Sequence, residues 1–257
     1  MARVRVQIRR VVALPREIGG IPLDEIGATG WGLSHVVDIA LHYCDFELEG
    51  AHVVIQGFGA VGKHAAHFLA ARGAKLVAVA DSAGATHNPA GLDINALLEL
   101  KAAGRSVADY PDGTRLKKDD VIDVECDIWI PAARPDVVNE DNVHRLKTRL
   151  VVEGANIPFT LGAEEYLHER GVVCIPDFIA NAGGVICAAM EYHGATQAAA
   201  LQTIEEKLRR NTEQVMETAK SKLILPRQAA IEMAEQRVRR AMDFRRFSLF
   251  STASDYT

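Results

Sequence analysis

One segment decides the fold, and it reads His52-Val53-Val54-Ile55-Gln56-Gly57-Phe58-Gly59-Ala60-Val61-Gly62. A short apolar run leads into three glycines spaced GxGxxG, and a helical stretch follows from Lys63. The next strand candidate, Lys75–Asp81, ends on an acid nineteen residues after the last glycine. This order of strand, glycine loop, helix, strand and acid predicts a βαβ unit whose loop faces the phosphates of a dinucleotide. A glycine turn that binds no ligand is the alternative interpretation.

Each part of the glycine loop has a physical reason to be there. Gly57 permits the tight turn, Gly59 lets the backbone approach a pyrophosphate, and Gly62 lets the helix pack against the strand. The helix start presents unpaired amides and the positive end of a dipole to the phosphates. We therefore predict a cofactor-binding loop that consists of Gly57, Phe58, Gly59, Ala60, Val61 and Gly62.

The acid at the end of the second strand predicts which dinucleotide binds. The carboxylate of Asp81 could accept hydrogen bonds from the adenine ribose and would repel a 2′-phosphate, which favours NAD over NADP as the cofactor. Lys75 or a loop residue could compensate the phosphate charge, so NADP is not excluded.

The chain continues as an alternation of short apolar runs and helical stretches. Glycines at 73, 104 and 171 follow predicted helices, as expected where the backbone enters the left-handed region. The alternation predicts an α/β fold with a doubly wound, mostly parallel Rossmann-type sheet and a helical C-terminal appendage. Further strands are predicted at Asp127–Pro131, Leu150–Glu153 and Val172–Pro176, and helices at Thr29–Phe46, Lys63–Arg72, Ile94–Ala103, Asn139–Leu146 and Leu161–Arg170.

The domain organisation follows from where this alternation stops. After about Asn181 the apolar residues fall at helical spacing, and Pro226 opens a last helix that runs to about Phe244. We predict an N-terminal extension over residues 1–23 and a dinucleotide-binding Rossmann domain over 24–200. Helices over 201–247 pack on that domain, and 248–257 form a frayed tail.

The composition excludes several classes of protein. The 257 residues are 48% hydrophobic and 25% charged, which is typical of a soluble globular chain and not of a disordered or collagenous one. No apolar run approaches the length of a membrane span, and a net charge of −5 argues against nucleic acid as a partner. The four scattered cysteines predict reduced thiols, a cytoplasmic location and no metal site.

The first residues of the chain carry arginine without acids. The run Arg3–Arg9 alternates with period two, which predicts an exposed strand rather than a transit peptide or a basic nucleic-acid arm.

Several motifs beside the glycine loop occur in a fixed order. Taken together, they resemble the glutamate/leucine/phenylalanine/valine dehydrogenase family, specifically its C-terminal nucleotide-binding domain, and most of all its glutamate dehydrogenases. The resemblance runs from about Gly19 to Phe247. The motifs are Ile18-Gly19-Gly20, Asp24-Glu25-Ile26-Gly27-Ala28-Thr29-Gly30, Asn88-Pro89-Ala90-Gly91-Leu92-Asp93, Cys126-Asp127-Ile128-Trp129-Ile130-Pro131-Ala132-Ala133, Glu153-Gly154-Ala155-Asn156, Ile175-Pro176-Asp177 and Asn181-Ala182-Gly183-Gly184-Val185.

The resemblance implies a reaction and a set of cofactor contacts. The family oxidises an L-amino acid to its 2-oxo acid and ammonia and passes a hydride to the nicotinamide. By the same resemblance, Asp81 and Ser82 lie near the adenine ribose. The nicotinamide side is held by Thr29, Ala132, Ala133, Asn156 and Asn181, and the substrate lies near Val185 and Ala188. Taken singly, Thr29, Asn156 and Asn181 could instead be helix-capping or turn residues.

The chain also departs from the family. Its relatives carry an N-terminal substrate domain that supplies a catalytic lysine and aspartate, and no segment before Asp24 is long enough to form one. We expect no catalytic residue in this chain, dinucleotide binding without turnover, and an amino-acid or 2-oxo-acid substrate only with the missing domain. Ala188 replaces the serine that binds the side-chain carboxylate of glutamate, so a neutral amino acid is the alternative substrate.

The same departure leaves two other roles open. The chain could be a non-catalytic NAD-binding module or one subunit of a split dehydrogenase. A homo-oligomer is possible, and we expect a state no larger than a dimer, because much of the family's subunit contact involves the missing domain.

Overall fold

A seven-stranded sheet forms the centre of the molecule. The computed structural model describes residues 14, 16 and 19–246. The strands are β1 His52–Gln56, β2 Lys75–Ala80, β3 Ala85–His87, β4 Thr114–Leu116, β5 Ile128–Pro131, β6 Leu150–Val152 and β7 Val173–Ile175. Their order across the sheet is β4-β3-β2-β1-β5-β6-β7, and the five neighbouring strands β2, β1, β5, β6 and β7 are parallel. The predicted doubly wound, mostly parallel sheet is confirmed.

Helices cover both faces of the sheet because the central strands are apolar on both sides. Val53 and Ile55 face a cluster that includes the first two helices and the long C-terminal pair, whereas Val54 and Trp129 face the other side. The helices are α1 Ala28–Leu41, α2 Ala60–Ala70, α3 Ile94–Ala102, α4 Leu161–His168, α5 Asp177–Ala180, α6 Gly183–Tyr192, α7 Gln197–Lys222 and α8 Pro226–Arg246.

The five predicted parallel strands are confirmed to within one residue at each end, and the glycines at 73, 104 and 171 have positive φ as expected. The two edge strands β3 and β4 are additions to the prediction. Both run antiparallel to their neighbours and are only three residues long. Such short segments carry no apolar periodicity by which the sequence could reveal them.

The predicted helix Asn139–Leu146 is wrong. Only a single 3-10 turn, Val143–Arg145, is present there. Asn142 accepts a hydrogen bond from the Asn139 amide through Oδ1 at 2.9 Å and donates through Nδ2 to the Val137 carbonyl at 3.0 Å. Asparagine side chains that bond to nearby backbone compete with the helical hydrogen bonds, and here they prevail.

Two predicted features lie outside the described residues: the exposed strand Arg3–Arg9 and the frayed tail 248–257. Within the described residues, no helix is both long and apolar enough to cross a lipid bilayer.

Candidate functional site

A cleft opens at the carboxyl ends of the parallel strands, at the point where the strand order reverses. From β1 the chain continues to β2 on one side, whereas β5, β6 and β7 extend the sheet on the other. Two cavities of about 490 Å³ each lie there, and both are lined by Ala132, Ala133 and Arg134, which follow β5. We call them the Asp81 cavity and the Asn156 cavity. Ligands of open α/β sheets bind at such switch points.

The glycine loop fits the close approach of a ligand. Gly57 has φ +106°, a conformation that favours glycine, and a Cβ on Gly62 would lie 1.9 Å from the Gly57 carbonyl oxygen. Gly59 differs from both, because its φ is −88° and an added Cβ would meet no atom within 4 Å. Neither backbone geometry nor packing within the protein therefore requires glycine at 59. Open space beside the start of α2 is what a bound phosphate group would need.

The carboxylate of Asp81 is turned into the protein. Its Oδ1 accepts hydrogen bonds from the Ala83 amide at 3.0 Å and the Ser106 hydroxyl at 2.8 Å. Its Oδ2 accepts from Lys101 Nζ at 2.8 Å and the Val107 amide at 3.0 Å. Burial raises the pKa of Asp81, but these four donors outweigh it and lower that pKa to about 2. Asp81 lines its cavity as a charged group whose acceptor sites are occupied.

Among the described residues, three cations line the Asp81 cavity, and none of them was a predicted site residue. They are Lys101 on α3, Lys118 on a 3-10 turn, and Arg134. Arg134 directly follows the predicted Ala132-Ala133 pair, so the sequence contained a signal that could have identified it as a site residue. Lys101 lies twenty residues beyond Asp81, and no local pattern marks a contact across that separation. Lys75, considered above as a compensating charge, starts β2 and so lies at the opposite edge of the sheet.

The Asn156 cavity brings together described residues from five separate segments of the chain. Asn181 Nδ2 donates to Asn156 Oδ1 at 2.7 Å and to the Ala155 carbonyl at 3.3 Å. Thr29 at the start of α1 lines the same cavity, with Val61 from α2. Val185 on α6 is 75% exposed at its rim. The cavity lining therefore combines polar side chains, those of Thr29, Asn156 and Asn181, with the apolar side chains of Val61 and Val185.

The two cavities contain most of the predicted site residues. Gly57, Phe58, Gly59, Asp81 and Ser82 line the Asp81 cavity. Three predicted residues line neither cavity: Ala60, Gly62 and Ala188. Gly62 is buried against the loop, and Ala188 lies one helical turn after Val185 on α6.

Two loops beside the Asn156 cavity hold strained backbone. Asp136 has φ +51° and Ile157 has φ +49°, and both are left-handed conformations that non-glycine residues rarely adopt. The Asp136 amide donates to the Ile157 carbonyl at 2.9 Å, so the two loops hold each other. Strain of this kind costs about 1–3 kcal/mol per residue and gathers at functional sites.

A buried acid cluster supports the loop that carries Asn156. We use that name for Glu153, Glu164, Asp177 and Arg227. The Arg227 guanidinium on α8 contacts all three carboxylates, at 3.0, 2.6 and 3.1 Å respectively. Asp177 Oδ2 in turn accepts from the Ile157 amide at 2.9 Å. Burial, and then the neighbouring Glu164 carboxylate, raises the pKa of Glu153 from 4.5 to about 9.

The chain is similar in sequence to the proteins of one enzyme family. The sequence model of the Glutamate/Leucine/Phenylalanine/Valine dehydrogenase family matches residues 19–246. A glutamate dehydrogenase of Aeropyrum pernix is 38% identical over 246 residues, which cover 91% of this chain and 58% of that protein. An NADP-specific glutamate dehydrogenase of Saccharolobus shibatae is 40% identical over 178 residues, covering 69% of this chain and 42% of that one.

A solved structure has a similar fold. The hetero-hexameric glutamate dehydrogenase from Thermus thermophilus, in its Leu-bound form, superposes with a TM-score of 0.82 at 28% identity. The match covers 91% of this chain and 57% of that one. The chain thus spans about half the length of the relatives and structures that it matches.

Proposed function

This chain belongs to the glutamate/leucine/phenylalanine/valine dehydrogenase family, and on that premise we propose that it binds the nicotinamide dinucleotide of an L-amino-acid dehydrogenase. The proposed reaction is oxidative deamination of an amino acid of the glutamate type to a 2-oxo acid and ammonia. The bound nicotinamide supplies the hydride acceptor. The observation that carries the proposal is Gly59, whose open side faces the cleft at the start of a helix.

We assign the protein groups along the cleft from one cavity to the other. The amides of Gly59, Ala60 and Val61 receive the pyrophosphate, because the first amides of a helix have no partner within it. The adenosine end lies in the Asp81 cavity beside Ser82. The nicotinamide end lies in the Asn156 cavity, where the residues that hold it are Thr29, Ala132, Ala133, Asn156 and Asn181.

Among the described residues, the lining of the Asn156 cavity offers no general base. The described part of the chain contributes no lysine, aspartate, glutamate or histidine to this lining, and the charged residue that it does contribute is Arg134. A proton acceptor must lie within hydrogen-bond reach of the proton that it removes. We propose that the lysine and aspartate of the family's substrate domain meet the cleft from outside these 257 residues, together with the amino acid. Assembly with further copies or domains belongs to the same proposal.

A neutral amino acid is the second candidate substrate. The observation that favours it is Val185, an exposed apolar side chain at the rim of the Asn156 cavity, with Ala188 one turn further along α6. A side-chain carboxylate that found no donor here would forgo a charge-assisted hydrogen bond, worth roughly 1.5–3 kcal/mol. Comparing glutamate with leucine as substrates of the complete enzyme distinguishes the two candidates.

The binding proposal is tested with the substitution Gly59→Ala. The added Cβ meets no protein atom within 4 Å, so the variant should fold. We expect only a small fall in melting temperature, because Gly59 is the N-cap residue of α2 and alanine is less favourable than glycine there. The methyl group occupies the space that we propose for a phosphate. We expect calorimetric titration to show dinucleotide binding by the parent chain and a loss of about tenfold or more in the variant, since one good contact is worth about 1.4 kcal/mol.

The matched control is Ala90→Val, which adds bulk at an exposed position outside both cavities. This variant should bind as the parent chain does. If the parent chain binds neither NAD nor NADP, or if Gly59→Ala binds as tightly as the parent, the assignment of the glycine loop is wrong.

A further inference from the structure

The Asp81 carboxylate is already satisfied by the protein. A carboxylate has about four acceptor sites, and those of Asp81 receive Lys101, Ser106 and the amides of Ala83 and Val107. Its side chain is only 7% exposed. A ribose hydroxyl can bond to this carboxylate only if one of the existing bonds opens. The acid that usually favours NAD is thus present in the sequence, but in the structure its carboxylate is already hydrogen-bonded within the protein.

The charge of Asp81 is compensated on the side that faces the cavity. Lys101 Nζ lies 2.8 Å from Oδ2, and the lysine side chain remains 34% exposed where it lines the cavity. Repulsion of a 2′-phosphate by a carboxylate depends on an unpaired negative charge, and a lysine in contact cancels most of it at longer range.

The wider cavity is cationic as well. Lys118 is exposed and lines it with Lys101, and Arg134 stands at the junction with the Asn156 cavity. Against these three cations stand two carboxylates, Asp81 and Asp119. A lysine ammonium is a common ligand of phosphate, to which it binds as a point charge.

We propose that the Asp81 cavity accepts a 2′-phosphate, with Lys101 as the residue that determines cofactor specificity, so that this chain binds NADP at least as tightly as NAD. The proposal rests on the proposed function, since it concerns the adenosine end of the same dinucleotide. Lys101 bridges the Asp81 carboxylate and the phosphate, and Lys118 supplies a second positive charge. Asp81 serves to position Lys101 and is not the ribose ligand.

The test is calorimetric titration of the 257-residue chain with four probes: NAD, NADP, 5′-AMP and 2′,5′-ADP. The parent chain should bind NADP at least as tightly as NAD, and 2′,5′-ADP more tightly than 5′-AMP. Lys101→Gln should weaken NADP and 2′,5′-ADP by about tenfold, the effect of one lost charge-assisted contact, and change NAD by less than about threefold. Lys75→Gln, at the opposite edge of the sheet, is the matched control and should change none of the four affinities.

A second variant keeps the proposal testable if Lys101→Gln folds poorly. Asp81→Asn removes the acid and frees the lysine, so NADP affinity should be retained within about threefold. A tenfold preference of the parent chain for NAD, or a tenfold loss of NAD binding in Asp81→Asn, overturns the inference and restores Asp81 as the ribose ligand. Absence of binding by every probe would instead defeat the proposed function itself, so the two failures are distinct.

Discussion

Glu153 shows how one residue links the stability of the molecule to its site. It directly follows β6 and is fully buried. Its Oε2 accepts hydrogen bonds from Arg227 and from the Asp177 amide, whereas Oε1 has no donor. A proton on Oε1 would satisfy that oxygen and remove repulsion from the nearby Glu164. Three buried carboxylates face one guanidinium, so the neutral form of Glu153 is favoured in the folded state.

The pH dependence of stability follows from this residue. The folded pKa of Glu153 is about 9, against 4.5 ordinarily, because burial and then Glu164 raise it. Between those values the unfolded chain binds fewer protons than the folded one, so the contribution of Glu153 is fully present below about pH 4.5 and is lost as the pH rises to about 9. Glu153→Gln, which is neutral at every pH, should remove this slope.

We expect urea unfolding to show Glu153→Gln gaining stability relative to the parent chain from about pH 5 to about pH 9, by more than about 1.4 kcal/mol, the equivalent of one pKa unit. Glu165→Gln is the control, since Glu165 is exposed on α4 beside the cluster. Parallel pH profiles for the parent and Glu153→Gln would show that Glu153 is ionised in the folded protein.

At the scale of elements, the start of α6 packs closely against the start of α1 because two glycines at this contact have no side chain. A Cβ on Gly183 would lie 2.3 Å from the Ala28 carbonyl oxygen, and one on Gly184 would lie 3.0 Å from Thr29 Oγ1. The two glycines therefore allow the close helix contact that places Thr29 beside Asn181. In this structure the two glycines allow close packing, and this packing positions residues that line the Asn156 cavity.

The substitution Gly183→Ala tests this contact. The added methyl group must push the two helices apart, and overpacking of this kind costs about 1–3 kcal/mol of unfolding free energy. Chemical denaturation measures the loss, and Ala189→Ser, at an exposed position on the same helix, should be neutral. An unchanged denaturation midpoint for Gly183→Ala would mean that α6 shifts without cost.

The elements also show what the sequence could reveal and what it could not. The strand ending at Gln56 and the loop after it were predictable, because apolar pattern and glycine spacing are local signals. The orientation of Asp81 was not, since Lys101 and Ser106 reach it from another helix and loop. The wrong prediction of a helix at 139–146 lies between these two cases. The sequence does show Asn139 and Asn142, whose side chains compete for backbone hydrogen bonds, but not that they prevail over the helix.

At the scale of the whole molecule, the described residues place glycine, amide and hydroxyl groups around the cleft and few groups that could take up a proton. The glycine loop, the Asn156–Asn181 pair and the start of α1 meet at one edge of the sheet, while the titratable acid cluster lies beneath the loop that carries Asn156. Effective chemistry needs a base positioned beside the substrate. Under the proposed function, the described residues position the dinucleotide, and the base comes from elsewhere.

The 257-residue polypeptide assayed alone should therefore show no amino-acid-dependent reduction of NAD or NADP, followed by absorbance of the reduced nicotinamide. Calorimetry on the same sample shows whether the dinucleotide is bound and thus serves as the control for folding. Turnover with glutamate or leucine by this polypeptide would contradict the proposal that the catalytic base meets the cleft from outside these residues.

The two edge strands of the sheet, β4 and β7, are poor sites for the addition of a strand from another molecule. β4 is three residues long, carries Arg115 at its middle and pairs antiparallel with β3, while β7 at the other border packs against α8. Short, charged or covered borders resist the addition of a foreign strand. Within the described residues, the sheet therefore offers no long exposed edge strand on which cross-β growth could begin.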